Sequence, residues 1–414
     1  MGHWHRPMRS APTTSARLLP LLAALTALAP LSIDIYTPSL PLMQAELGGA
    51  DWLAQASITT FLLGIGLGQL VWGPLSDSFG RRPVVIAGIA GWALASAASA
   101  LAISAPMLVG VRLVAGLCGA AGIVVARSIV RDISPDGATT SSRIGILAMV
   151  TTLAPVLAPI AGATIALAWG WRGDFTVLAG LGVGLVALFA AVAPETLPAS
   201  ARQPGGVGSV TSSLLTAGRH RELVLVSFTM AAHSVGFYAY IATASFIVER
   251  ELHRSALAFA VVFGTNAIMV ISANQVFRKI VRRHHPSRPV GAGLVLCAVG
   301  GTALVSIAIA HGPEAALWGA SLVFAAGQGL VLPGTHSWAQ ATSVSSGAAS
   351  ALVGSAQFLG GVLGSPVTGV VGPTAAHLGG VITLASGGAT LLWLAAVRRV
   401  PSPTPSHQGG ATVP

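Results

Sequence analysis

Long apolar runs separated by short polar breaks recur from Leu18 to Val397. They fall near 18–36, 52–73, 83–104, 106–126, 143–167, 174–193, 222–248, 256–277, 289–311, 315–335, 347–370 and 375–397. Each approaches the roughly 20 residues a helix needs to cross a bilayer core. The runs are continuously apolar, without the every-other-residue alternation of a membrane barrel, so they predict helices. The fold class that follows is an all-α polytopic membrane protein with twelve transmembrane helices. One polar connection outlasts the others, from Glu195 to Glu222, and it is rich in Gly, Ser and Arg. It splits the spans six and six, which predicts two six-helix bundles joined by a linker. The expected divisions are a tail over 1–17, a bundle over 18–194, a linker over 195–221, a second bundle over 222–397 and a disordered tail over 398–414.

Composition agrees: 53% of residues are hydrophobic, 8% are charged, and mean hydropathy is +0.77. Soluble domains carry about 25% charged residues. A net charge of +10 suggests a nucleic-acid partner only until its distribution is read. Of the 22 Lys and Arg residues, 18 lie in the tails and the even-to-odd loops, three (Arg172, Arg250, Arg254) in the opposite loops, and one, Arg112, in a span. This is the positive-inside pattern, which predicts a multi-pass protein of the cell membrane with both termini cytoplasmic and no nucleic-acid partner. Ala27-Leu28-Ala29 imitates a signal-peptidase site, but Pro30 follows directly and eleven spans come after, so the first helix is expected to be retained. Cys118 and Cys297 fall mid-span, which indicates no external disulfide framework.

The acids separate as well. Glu46, Asp51, Asp174, Glu249, Glu251 and Glu314 are assigned to the outer side, while Asp77, Asp132, Asp136, Glu195 and Glu222 are assigned to the inner side. That leaves Asp34 as the single acid within a span, matched by the single base Arg112. A charge at mid-membrane costs about 2.5–3.5 kcal/mol on insertion scales and usually marks function. At about 1.5 Å per residue, Asp34 stands roughly 24 Å above Leu18, and Arg112 roughly 22 Å above Arg127. At similar depth the two are expected to pair and neutralise each other. A change in their separation would then load or release a proton on Asp34. The alternative is a helix-end acid among headgroups, with Arg112 snorkelling outward.

Four stretches carry a resemblance. "GPLSDSFGRRP", Gly73 to Pro83, matches every fixed position of the signature loop of the major facilitator superfamily. "TTLAPVLAPIAGA", Thr151 to Ala163, is similar to the antiporter motif of proton-coupled exporters, with alanine in place of two glycines. "VGVRLVAGLCGAAG" keeps Arg112 and Gly116 of a second exporter element but has Ala115 at its glutamine position. "SIDIYTPSLP" resembles the first-helix motif of the bicyclomycin and chloramphenicol resistance (Bcr/CflA) branch of drug:proton antiporters, and the resemblance is strong to about Pro204. It implies the major facilitator fold and proton-coupled efflux of small drugs by alternating access, with no cofactor beyond the proton gradient. It also implies a latch of Gly73, Asp77, Gly80, Arg81 and Arg82, with Asp77 facing the start of the eleventh span near Ser346-Gly347. Pro155, Pro159 and Gly162 would form the antiporter motif, whose prolines bend the helix and whose small residues admit a neighbour.

Polar and aromatic residues near mid-span on both sides of the linker are the candidates for substrate contact. They are Tyr36, Gln69, Met149, Thr152, His233, Phe237, Tyr238, Asn266, Gln328 and Gln357. Each could instead satisfy a neighbouring helix. With Asp34 and Arg112 cancelling, the expected cargo is neutral or zwitterionic. The expected partners are that small molecule, protons and the bilayer, for a protein acting as a monomer. A metabolite exporter of the same mechanism stays open, as does a channel or membrane sensor. No metal-ligand spacing, nucleophile elbow or paired carboxylates point to an enzyme. Without a Walker A loop ATP is not the expected direct source, and the expected driver is a proton, worth about 2.3 kcal/mol per 100 mV.

Overall fold

A computed structural model describes residues 12–48, 51–202, 218–342 and 346–399. Its long helices are α1 (Pro12–Asp34), α3 (Asp51–Phe79), α4 (Arg81–Ala100), α5 (Ala105–Ile133), α6 (Gly137–Val192), α7 (Arg221–Phe246), α8 (Ala256–Ile280), α9 (Ser287–Ile309), α10 (Glu314–Ala341), α11 (Ser346–Val371) and α12 (Ala375–Val397). A short helix, α2 (Leu40–Leu47), follows a 3-10 turn at Thr37–Ser39. No strand occurs among the described residues.

On length and apolarity alone, ten segments of the described chain are able to cross a membrane, against the twelve expected. The difference has two sources. One segment, Ser142–Val192, is 51 residues long because α6 is two expected spans run together. At Gly170 its backbone leaves the helical region (φ 65, ψ 179) and the chain doubles back. Both ends of α6 accordingly meet the same face: Arg143 donates to the Ile133 carbonyl at 2.9 Å, and Ala190 accepts from Arg82 at 2.6 Å. Pro155 and Pro159 lie inside the outgoing arm, so the departure from helix comes at the glycine and not at the prolines. The second source is α11, a 26-residue helix that stands outside those ten.

We call the face carrying the α3–α4 turn the inner face, and the face carrying α2 the outer one. The first six helical passes pack mainly on one another, α5 against α1, α3 and α4, and α6 against α1 and α4. Helices α7 to α12 do likewise, with α9 between α10 and α12, and α7 between α11 and α12. Two seams join the sets, α3 with α11 and α6 with α8. Glycine sets the closeness of approach in both halves. A Cβ at Gly68 would fall 2.5 Å from the Leu117 carbonyl, and one at Gly300 would fall 2.7 Å from the Phe324 nitrogen. Without a water-driven hydrophobic term between helices, such small-residue contacts and the dispersion they allow hold the bundle.

The outer end of the seam is pinned. Arg250, in the π-helical turn Ile247–Glu251 that ends α7, donates to the Pro41 carbonyl at 3.1 Å and to Gln44 on α2. Thr59 and Ser365 share a hydrogen bond between α3 and α11. A Cβ at Gly369 would fall 2.7 Å from Trp52 Cα, so backbone lies against backbone there. Arg250→Ala is expected to loosen this edge. In a protein whose two cysteines are replaced and whose buried Gln55 is made cysteine, maleimide labelling should quicken about tenfold, matching the ~1.5 kcal/mol of a charged hydrogen bond. An unchanged rate would show that the pin carries none of the closure.

Candidate functional site

Asp34 is the last residue of α1, in the turn where helix gives way to the 3-10 segment. It is 3% exposed, and Arg112 on α5 is fully buried. Both side chains are thus enclosed by protein. The expected ion pair is absent: among the described residues no salt bridge joins the two. Arg112 turns instead to the end of α1, where its Nη2 donates to the Ser32 carbonyl at 2.6 Å. A guanidinium there meets the negative end of the helix dipole.

Its planar face is held by aromatic rings. The guanidinium carbon lies 4.0 Å from the Phe61 ring centroid, 4.8 Å from that of Tyr36 and 5.5 Å from that of Phe175. Tyr36 is fixed in turn by its hydroxyl on Ser57 at 3.1 Å and by the Phe175 ring at 5.0 Å. Nε and Nη1 of Arg112 are buried without partners. A charge boxed by rings with two donors unused is poised to accept an anion. Asp34 ends α1 one residue before Ile35, whose carbonyl abuts Gly162 of α6. A Cβ at Gly162 would fall 2.6 Å from Ile35 C, so this glycine lets α6 touch backbone at the turn.

Other expected residues divide into those at the seam between the halves and those spent elsewhere. Tyr238 on α7 is buried at the α3–α11 seam, where a Cβ at Gly361 would fall 2.6 Å from its ring and 2.7 Å from Leu62. Phe237 lies against it, rings 5.0 Å apart, and Phe358 is 6.4 Å away. Phe237, Tyr238 and Phe358 thus form an aromatic group at the α7–α11 contact, and Tyr36 meets α3 through Ser57. Gln69 stands further inward on α3, its Oε1 3.5 Å from where a Cβ of Gly354 would lie. His233 binds Gln328 (Nε2···Oε1 2.7 Å), and Asn266 donates to the Tyr240 hydroxyl at 2.5 Å and to Ser321 at 3.1 Å. These three face other helices of the second half. Met149 is 65% exposed, and the side chain of Thr152 lies outside the described residues.

The signature loop is an ion network inside the first half. Gly80 takes φ +98, a conformation that favours glycine, and turns α3 into α4. Arg81 is buried and donates to Asp77 at 2.5 Å, to Asp132 at 2.9 Å and to Ser76 at 2.7 Å. Glu195 caps α4, accepting from the backbone of Arg81 at 2.9 Å and of Arg82 at 3.2 Å. Gly73 approaches Val124 of α5, with 3.7 Å left for a Cβ. The side-chain surroundings of positions 346 and 347, which Asp77 was expected to face, are outside the described residues.

Sequence reasoning missed Phe61, Phe175 and His336, whose Nε2 meets Gln357 Oε1 at 3.3 Å. It also did not foresee the burial of Asp174. Assigned to the outer side, this acid is fully buried, four residues beyond the Gly170 break, with Oδ2 accepting from Ser39 at 2.7 Å. Asp34 is thus not the only buried acid among the described residues.

Long apolar helices packed in two sets define an integral membrane protein, and its family match makes it a transporter. The chain belongs to the Major Facilitator Superfamily, whose model matches residues 22–365, and within it to the bicyclomycin/chloramphenicol resistance branch. It is 31% identical to the uncharacterized MFS-type transporter YdgK of Bacillus subtilis (strain 168) over 87% of this chain and 90% of that one. It is 33% identical to a chloramphenicol resistance protein of Pseudomonas aeruginosa over 69% and 67%, and 26% identical to a bicyclomycin resistance protein homolog of Haemophilus influenzae over 86% and 90%. Among solved structures the fold matches a D-xylose-proton symporter with a TM-score of 0.77 at 16% identity, covering 94% of this chain and 98% of that one.

Proposed function

We propose that the protein exports small neutral or zwitterionic drugs, of the chloramphenicol or bicyclomycin kind, in exchange for protons. The observation that carries this reading is the burial of Asp34 at the end of α1 without a hydrogen bond or ion pair among the described residues. An isolated carboxylate in that position is costly, so it either carries a proton or acquires a cation. Arg112 lies in the adjoining ring cage with donors to spare, and a small shift of α1 against α5 would exchange proton for guanidinium. Two relatives named for resistance to chloramphenicol and bicyclomycin support the cargo class.

The experiment is substrate-induced proton release in inside-out vesicles from cells producing the parent or Asp34→Asn. Release is expected from the parent on adding chloramphenicol and is expected to be lost in the variant; undiminished release would refute the assignment. Dicationic dyes should be poor cargo, and an efflux panel in which one is the best substrate would overturn the cargo class. A metabolite exporter would give the same proton signal with a sugar, amino acid or nucleoside.

A further inference from the structure

We propose that Asp174 is a second proton-carrying carboxylate of the transport cycle, working beside Asp34. The proposal rests on the proton-antiport reading above and extends it to a residue that the sequence assigned to the outer surface.

Asp174 has no exposed surface, and its two oxygens are treated differently. Oδ2 accepts from the Ser39 hydroxyl at 2.7 Å, whereas Oδ1 is buried with no partner. A carboxylate with one bare oxygen in an apolar setting is costly. The position nevertheless offers some support for charge, because it lies in the first turn of the returning arm of α6, near that arm's positive end. Both forms of the acid thus have something in their favour, which is what a group that gains and loses a proton requires.

The surroundings link it to the first acid. The next residue, Phe175, lies 5.0 Å from Tyr36 and 5.5 Å from the Arg112 guanidinium. Ser39 belongs to the 3-10 turn that begins three residues after Asp34. The titratable and charged groups on the neighbouring elements are Asp34 and Tyr36 at the end of α1, Arg112 of α5 behind the Phe175 ring, Glu46 of α2 with Arg172, and Arg278 with Lys279 in the last turn of α8. The hydrogen bond of the Asp174 side chain among the described residues is that to Ser39. Helix α4, also packed on α6, has no charge beyond the arginines at its inner end. Arg172, only two residues before Asp174, spends its charge on Glu46, and both side chains of that pair are partly exposed. External water therefore lies within about one helical turn of the buried oxygen. When the outer end opens, the carboxylate binds a proton from water to become the carboxylic acid, and it later returns the same proton to water. No bond to cargo forms.

A purely structural role predicts something different. A hydrogen-bond acceptor for Ser39 is all that a tie between the turn and α6 needs, and asparagine supplies one. The test is pH-difference infrared spectroscopy of the purified protein in lipid, read in the protonated-carboxyl stretch, for the parent, Asp174→Asn, Asp34→Asn and Ser39→Ala. Asp174→Asn is expected to remove one component, Asp34→Asn another, and Ser39→Ala to shift the Asp174 component by loosening its hydrogen bond. In the vesicle assay, Asp174→Asn should about halve proton release per chloramphenicol, as expected for one of two linked sites, and Asp174→Glu should restore it. An Asp174→Asn spectrum identical to the parent's, or full proton release from it, overturns the inference. If the Asp34 component is present and proton release needs Asp34, antiport stands and only the second carboxylate falls. A parent that releases no proton sinks both.

Discussion

Arg112→Met is expected to give a protein that melts no earlier than its parent and exports nothing. The guanidinium is completely buried, makes one hydrogen bond to the Ser32 carbonyl and leaves Nε and Nη1 unmet. Replacing a buried charge by an apolar side chain of similar length is often neutral or stabilising by about 1–4 kcal/mol. The methionine would lie among Phe61, Tyr36 and Phe175, where its thioether keeps favourable contacts with the rings. What it cannot do is offer Asp34 a cation. Proton-driven export should therefore fall to the level of vesicles lacking the protein, while the melting temperature stays level or rises by a few degrees, at about 2–4 °C per kcal/mol in a large chain. Lysine keeps the charge but loses the planar stacking and the fixed fork of donors, so Arg112→Lys should be impaired as well. A methionine variant that exports at the parental rate would remove Arg112 from the mechanism.

The second large effect belongs to Gly162→Ala, one methyl group in a helix where alanine is ordinarily the better residue. Its Cβ would fall on the Ile35 carbonyl, 2.6 Å from the carbon and 3.2 Å from Ile35 Cα. That obstacle is backbone, which has no alternative rotamer, and it belongs to the turn immediately following Asp34. Either α6 backs away or the end of α1 distorts, and overpacking of this kind costs about 1–3 kcal/mol. The variant should melt early, and the fraction that folds should export poorly because Asp34 and Tyr36 are displaced from Arg112. Gly110→Ala, where a Cβ meets nothing within 4 Å, is the matched control and should behave like the parent. Equal melting of the two would show that the close approach at Ile35 is dispensable.

Asp34 and Arg112 were legible because a charge inside a long apolar run is conspicuous whatever the fold. Their relation was not, since depth along two helices says nothing of which face each side chain takes. The ring cage around Arg112 was hidden for the same reason: Phe61 and Phe175 read as ordinary apolar members of their spans. Asp174 escaped because it sits at a span boundary, where one turn decides between water and interior, and Gly170 sets that turn by a backbone angle that hydropathy does not register. The signature loop announced itself by pattern, yet its partners Asp132 and Glu195 come from 51 and 114 residues beyond Arg81. In the second half, pairs such as His233 with Gln328 join α7 to α10 and leave no trace in local sequence.

Glu195 has a mechanical meaning as well. The chain that joins the two halves does not depart freely from the end of α6: its first carboxylate is clasped by the backbone of Arg81 and Arg82, and Thr196 holds Asp132 at 3.1 Å. The tether is moored to the α3–α4 turn. In the proposed alternating-access cycle, a pull along it would be delivered to Gly80 and to the arginine beside it, and not to the helix from which the tether springs.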